Sequence, residues 1–188
     1  RLMLGKSVGD KPQKFFLGGN SQMMIFSDTQ TEGRDDSGFY AQRVLDYDNS
    51  SILEDVYFSE YVFPLRGARY RERVGENVAV ANFEFRFPFV NYVDVSFPAR
   101  IRFGNIFGHL FVDVGAAWDS SDEFDNSELV RNKYGLTDPE ASPILTTFGI
   151  GTKIFTPFAL IRIDTAWDKY PSGGYSKPQY IISFGYDW

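Results

Sequence analysis

The chain of 188 residues has no cysteine and a single histidine, His109. Without a thiol there is no disulfide, no thiolate metal site and no cysteine nucleophile, and one imidazole leaves little room for a histidine-based metal centre. No stretch approaches the roughly 18 consecutive apolar residues of a membrane-crossing helix. Basic residues are the minority, 19 against 25 acidic ones for a net charge of -6, so the electrostatic footprint of a nucleic-acid binder is missing. An export signal is not visible either. Arg1 leads into Leu2-Met3-Leu4-Gly5 with no charged region followed by an apolar one, so an exported protein starting this way is expected to be processed, or to be part of a longer chain.

Aromatic residues are abundant, 18% of the chain, yet the mean hydropathy is only -0.27. The apolar residues are therefore spread out, and their spacing shows how. From Val78 to Val90 the odd positions read Ala79, Ala81, Phe83, Phe85, Phe87 and Phe89, while the even ones include Asn82, Glu84 and Arg86. This is the period-two alternation of a strand with one greasy and one charged face. Leu110 to Trp118 repeats it, with Leu110, Val112, Val114, Ala116 and Trp118 on one face and Phe111, Asp113, Gly115 and Ala117 on the other. Three further strands are expected at Thr146 to Phe155, Phe158 to Asp168 and Gln179 to Trp188, with Lys153, Arg162, Asp164 and Ser183 on their polar faces. Segments of about ten alternating residues, rich in Phe, Tyr and Trp, are how a membrane barrel looks in sequence. A soluble sandwich or lipocalin-like barrel has the same alternation, with the greasy face turned inward.

The connections are unequal. Leu2 and Leu4 end a short strand, and Phe15 to Gly19 is followed by a long polar stretch that leads to the clustered arginines Arg66, Arg69, Arg71 and Arg73. These can bind phosphate, or pair with acids on a facing wall, which is the reading favoured here. Asn91 to Ala99 reads as a turn or small insertion. The stretch 119–143 is acidic, with Asp119, Asp122, Glu123 and Asp125 close together, but it lacks the glycine and twelfth-position glutamate of a calcium loop, and no metal is expected. If the last strand ends on the periplasmic side, alternation makes Thr156-Pro157 a periplasmic turn and puts 20–77, 119–143 and 169–178 outside. Short turns on one side and long loops on the other suit an outer-membrane barrel.

Three motifs carry a resemblance: Leu65-Arg66-Gly67, Phe111-Val112-Asp113-Val114-Gly115, and the terminal aromatics Tyr186 and Trp188. With these the chain resembles the bacterial surface-antigen superfamily of outer-membrane barrels, the group of BamA, TamA and the two-partner secretion transporter FhaC. In that family a long loop folds into the barrel and presents an Arg-Gly tip to an inner-wall Phe/Gly-x-Asp-x-Gly motif. Here the tip lacks the family's aromatic fourth residue, Ala68 standing in its place, and the terminal signal has Trp where Phe is common. The resemblance implies an all-β fold, an antiparallel transmembrane β-barrel of which residues 1–188 are the C-terminal portion, the whole being 16-stranded. It implies an inward-folded loop at 20–77, an acidic extracellular loop at 119–143, and a lumen ion pair of Arg66 with Asp113 and Glu84. Phe15-Phe16-Leu17-Gly18-Gly19 is similar to family members that carry an N-terminal β-propeller.

The function implied is outer-membrane protein assembly or polypeptide translocation in a Gram-negative-type bacterium. The alternative is a non-transporting membrane anchor for an N-terminal or partner domain. The expected partners are outer-membrane lipid and lipopolysaccharide, the remaining barrel strands from the same or a partner chain, and the barrel-assembly machinery; nucleic acid and cofactors are not expected. No enzyme activity is expected, since His109 has no recognisable Ser partner and reads as a strand-end residue near the periplasmic interface.

Overall fold

The computed structural model describes residues 1–19, 23–26, 62–68, 72–91, 93–95, 101–103, 106–156 and 160–185. Tyr186 and Trp188 lie outside these residues, as does most of the 20–77 stretch. The strands in chain order are β1 (Leu2–Lys6), β2 (Phe15–Leu17), β3 (Met23–Phe26), β4 (Val62–Phe63), β5 (Arg73–Gly75), β6 (Asn77–Val90), β7 (Val93–Val95), β8 (Ile101–Phe103), β9 (Ile106–Trp118), β10 (Ile144–Phe155), β11 (Leu160–Lys169) and β12 (Gln179–Gly185). One helix, α1 (Ser127–Tyr134), follows a 3₁₀ turn at Ser121–Phe124.

Seven strands form one antiparallel sheet in the order β1-β6-β9-β10-β11-β12-β3. Its register puts Asn82 opposite Asp113 and Asp113 opposite Thr147, and in the next inward-facing row Glu84 opposite Phe111 and Phe111 opposite Gly149. Among the described residues this sheet does not close on itself: β1 and β3 are its edges. The pairing of Lys6 with Asn77, Trp118 with Asn77, and Lys169 with Thr146 puts residues 6 and 77 and the connections 119–143 and 170–178 at one end. At the other end 156–159 is short, and β7 and β8 make a small hairpin between β6 and β9.

The two faces of the sheet are inverted relative to a water-soluble protein. Phe83, Phe85 and Phe89 are 66%, 67% and 71% exposed, and Leu110, Val112, Ile150, Ile163 and Tyr180 extend the same apolar surface. Asp113, Thr147, Asp164, Lys153 and Arg162 are buried on the opposite face. Exposing a Phe-sized side chain to water forgoes about 1.5–3 kcal/mol relative to burying it, and charged groups are almost never fully buried unless paired. This arrangement is stable when the aromatic face meets hydrocarbon, and it excludes the soluble sandwich, in which Phe83 to Phe89 would be the core.

The segment before β6 folds back over the polar face. β2 pairs with β4 in parallel and with β5 in antiparallel fashion, making a three-stranded sheet whose Leu17 enters a core with Leu65, Ala68, Val78, Val80, Ala117 and Leu145. Gly75 is required where this sheet crosses β9, because a Cβ there would collide with the Trp118 backbone. The upper part of the polar face is thus closed by apolar contact.

Residues 119–143, read from sequence as an acidic loop, hold a folded cap. Ser120 and Glu123 form a capping box, Asn126 caps α1, and Gly135 ends it in the left-handed conformation at φ 59°. Val130, Tyr134 and Ala141 pack on Val74. The Tyr134 hydroxyl donates to the Val74 carbonyl at 2.7 Å and accepts from the Val74 N–H at 3.1 Å, acting as a strand neighbour for β5. The acids are used within the cap: the Lys133 ammonium lies 2.9 Å from Asp119 and 3.1 Å from Glu123.

Two expectations follow for the cap. Tyr134→Phe removes both hydrogen bonds to Val74 and is expected to cost about 1–2 kcal/mol, seen as faster proteolysis within 119–143. Burial lowers the Lys133 pKa, but the negative charges of ionised Tyr134 and of Asp119 and Glu123 outweigh it and hold the pKa above its ordinary 10.5; burial raises that of Tyr134 above its ordinary 10.0. In both cases the folded cap holds its proton more tightly than the unfolded chain. The cap's protection from protease is therefore expected to be constant up to about pH 10 and to fall as the pH rises further.

Candidate functional site: an arginine seated on the inner wall

Among its described residues, the folded-back segment meets the inner wall at a tight turn, Leu65-Arg66-Gly67-Ala68. The Leu65 N–H donates to the Gly19 carbonyl at 2.9 Å, and the Ala68 N–H donates to the Leu65 carbonyl at 3.3 Å. Gly67 has φ +83°, the left-handed region that favours glycine at the third position of such a turn. A Cβ there would also come within 2.7 Å of the Ala166 Cβ, so the turn is pressed against β11.

Each nitrogen of the Arg66 guanidinium donates a hydrogen bond. Nε donates to Asp113 Oδ2 at 2.7 Å and Nη2 to Oδ1 at 2.9 Å, a bidentate pair, while Nη1 donates to Glu84 Oε2 at 2.8 Å. Its Cζ lies over the Phe111 ring, 3.7 Å from the centroid. Arg66 is 8% exposed and Asp113 is fully buried. Such charge-assisted bonds are short and directional, and a guanidinium stacks on an aromatic face as an ammonium cannot.

The wall motif has a geometric reason at each position. Phe111 is the platform under the guanidinium and Asp113 receives it. At Gly115 a Cβ would fall 2.9 Å from Leu17 and 3.3 Å from Leu65, so the missing side chain makes the space in which the folded-back segment lies. Period two puts all three on one face of β9.

The structure places Leu65, Arg66, Gly67, Glu84, Phe111, Asp113 and Gly115 together at this site; Tyr186 and Trp188 are outside the described residues. Sequence reading missed two participants. Lys153 on β10, 1% exposed, donates to Glu84 Oε1 at 2.6 Å, and Arg86 on β6 pairs with the same oxygen. Glu84 therefore joins three cations. The available signal was that Lys153 and Arg86 share the polar face with Glu84.

His109 also differs from its expected place. β9 begins at Ile106, because its pairing with β6 and β10 continues that far, so His109 lies inside the strand and not at its end. It is fully buried, with Nε2 2.8 Å from Asp164 Oδ1. Gly5-Lys6-Ser7-Val8-Gly9 has a Gly-x-Ser-x-Gly spelling that the sequence reading passed over. It begins in β1 and runs into a loop, where the Ser7 hydroxyl accepts from the Gln13 N–H at 2.7 Å. The strand-to-helix turn that gives this motif its chemistry is not present there.

The description "Omp85 superfamily domain" matches residues 10–187 of the chain. No curated protein and no solved structure matches it.

Breaking the arginine seat from the wall side gives a measurable outcome. Asp113→Asn keeps the shape but leaves a buried guanidinium without its bidentate carboxylate, and removing one partner of a buried ion pair costs roughly 3–5 kcal/mol. The expected result is a lower unfolding temperature for the folded protein, together with trypsin cleavage at Arg66, which the wild type resists.

Proposed function

The chain belongs to the Omp85 superfamily of outer-membrane proteins, and from that premise we propose that it acts in the insertion or passage of polypeptides at the outer membrane, with the Arg66 turn as the tether that holds the folded-back segment in the barrel. The observation that carries this reading is the Arg66 seat: a cation on a connecting segment, bidentate to a buried acid of the wall. A segment that served only to fill space would be held by apolar contact, as the upper core already provides. An ionic seat adds a defined position, which is the best-attested use of buried charge. It also adds a way to leave, since water or a competing charged segment can take over the partners.

In this reading the aromatic face of β6, β9, β10, β11 and β12 meets lipid and lipopolysaccharide. In hydrocarbon each backbone N–H and C=O must be paired within protein, so further strands, from the same chain or a partner, would complete the wall beyond β1. The barrel-assembly machinery would insert the protein.

The test uses the full-length protein in planar bilayers and in outer-membrane vesicles. Arg66→Ala is expected to give larger and more frequent open-channel currents than the wild type, and to reduce client insertion or secretion by about tenfold or more, the scale set by one lost charged contact. Unchanged conductance and client handling in Arg66→Ala would overturn the tether and leave a membrane anchor for another domain.

A further inference from the structure

On β10 the inward positions carry no side chain at two successive steps, Gly149 and Gly151, and β9 fills both gaps with rings. A Cβ on Gly149 would strike the Phe111 ring, and one on Gly151 would strike the Asp164 carboxylate and come within 2.5 Å of His109 Cε1. The register explains the meeting: His109 is opposite Gly151 and Gly151 opposite Asp164, so the histidine of β9 reaches the aspartate of β11 across a strand that offers no side chain between them. Both are fully buried. Their atoms are 2.8 Å apart but off the line of a hydrogen bond, and Arg162 Nε stands 3.8 Å from the other carboxylate oxygen. The contact is therefore one of close packing.

The His109 and Phe111 rings stack at 6.0 Å with 30° between their planes, and Phe111 carries the Arg66 guanidinium. A continuous series thus runs from Asp164 through His109 and Phe111 to Arg66. The series passes through the Phe111 ring.

We propose that Gly149, Gly151, His109 and Asp164 are positioning residues for the Arg66 seat, fixing the plane of Phe111 and so the place where the guanidinium lands. This rests on the reading that Arg66 tethers the folded-back segment. The glycine pair leaves room beside β10 for the two rings, and Asp164 lies against His109 Nε2. Close-packed interiors transmit a displacement of this kind because they have no free volume to absorb it.

None of these 188 residues is a cysteine, so a single introduced thiol is the only one within them to react. The full-length protein in outer-membrane vesicles receives Ala68→Cys beside the tip, a site 6% exposed, or Ala141→Cys under the cap, a site 4% exposed, and is treated with a membrane-impermeant maleimide. Arg66→Ala is the reference for a released tip. Gly151→Ala and Asp164→Asn are each expected to raise the labelling rate at position 68 about tenfold, a local-opening effect, with the rate at 141 and the unfolding temperature near wild type. In a Phe111→Leu background Gly151→Ala is expected to add nothing, because its effect passes through the ring.

If Arg66→Ala speeds labelling at 68 while Gly151→Ala and Asp164→Asn do not, the positioning role fails and the tether stands. Equal acceleration at 68 and 141 in both variants, or full additivity with Phe111→Leu, overturns the proposal as general loosening. Should Gly151→Ala not fold, the near-isosteric Asp164→Asn decides alone by the same comparison of 68 with 141. If Arg66→Ala leaves position 68 protected, the tether itself is wrong, and this proposal falls with it.

Discussion

A guanidinium removed from water must find acceptors for its donors, and the architecture can be read as the conditions under which Arg66 meets that demand. Two carboxylates must face it, so β6 and β9 carry Glu84 and Asp113 on the side where a soluble sheet would be apolar. The segment bearing Arg66 must reach the wall, so Gly115 and Gly75 remove side chains where its backbone and leucines pass. It must also turn sharply where it meets the wall, so Gly67 takes a positive φ against Ala166. The outward aromatic surface is the other side of the same alternation: a strand that gives its even positions to charge has only its odd ones left for Phe83, Phe85, Phe87 and Phe89.

The folded-back segment is held by two kinds of interaction at two depths. Above, Leu17, Leu65 and Ala68 share an apolar core with Val78, Val80, Ala117 and Leu145. This contact is non-directional, and on its own permits sliding. Below, the bidentate Arg66–Asp113 pair admits one register. Hydrophobic contact supplies adhesion and the ion pair supplies position. The cap over β5, built from α1 and latched by Tyr134 to both backbone groups of Val74, covers the same segment from the outer end.

Much of this was legible in sequence because sheets with one polar face have a period of two, and β6, β9, β10 and β11 obey it. The Arg66–Asp113–Glu84 grouping came from a motif resemblance combined with that phase; periodicity alone puts Glu84 and Asp113 on a face but cannot bring Arg66 to them. Other features were hidden for physical reasons. Helix α1 is short and mostly polar, and only Val130 and Tyr134 are buried, so no apolar stripe announced it; its caps, Asn126 and Gly135, were the readable signs. The pairing that extends β9 back to Ile106 depends on Val90, Lys153 and Ile154 from two other strands. Lys153 was placed on the correct face, but its partner Glu84 is two strands away, and single-strand patterns carry no information across β9.

The charges of the wall show why the seat can hold a segment without fixing it permanently. Among the described residues the inward face of the wall carries the acids Glu84, Asp113, Asp164 and Asp168 and the bases Arg86, Lys153 and Arg162, one acid in excess before the turn arrives. Net charge thus favours a cation here without choosing its place. What demands it is local: Asp113 is fully buried, and among the described residues Arg66 is its side-chain hydrogen-bond partner. Yet that burial is partly the work of the turn itself, which lies over Asp113 while it is seated. If the turn leaves and water follows into the space, Asp113 regains hydration as it loses its cation, and the cost is below that of stripping a partner from a permanently dry acid. An ion pair whose dryness depends on its own formation closes cooperatively and opens at moderate cost, which suits the tether proposed above.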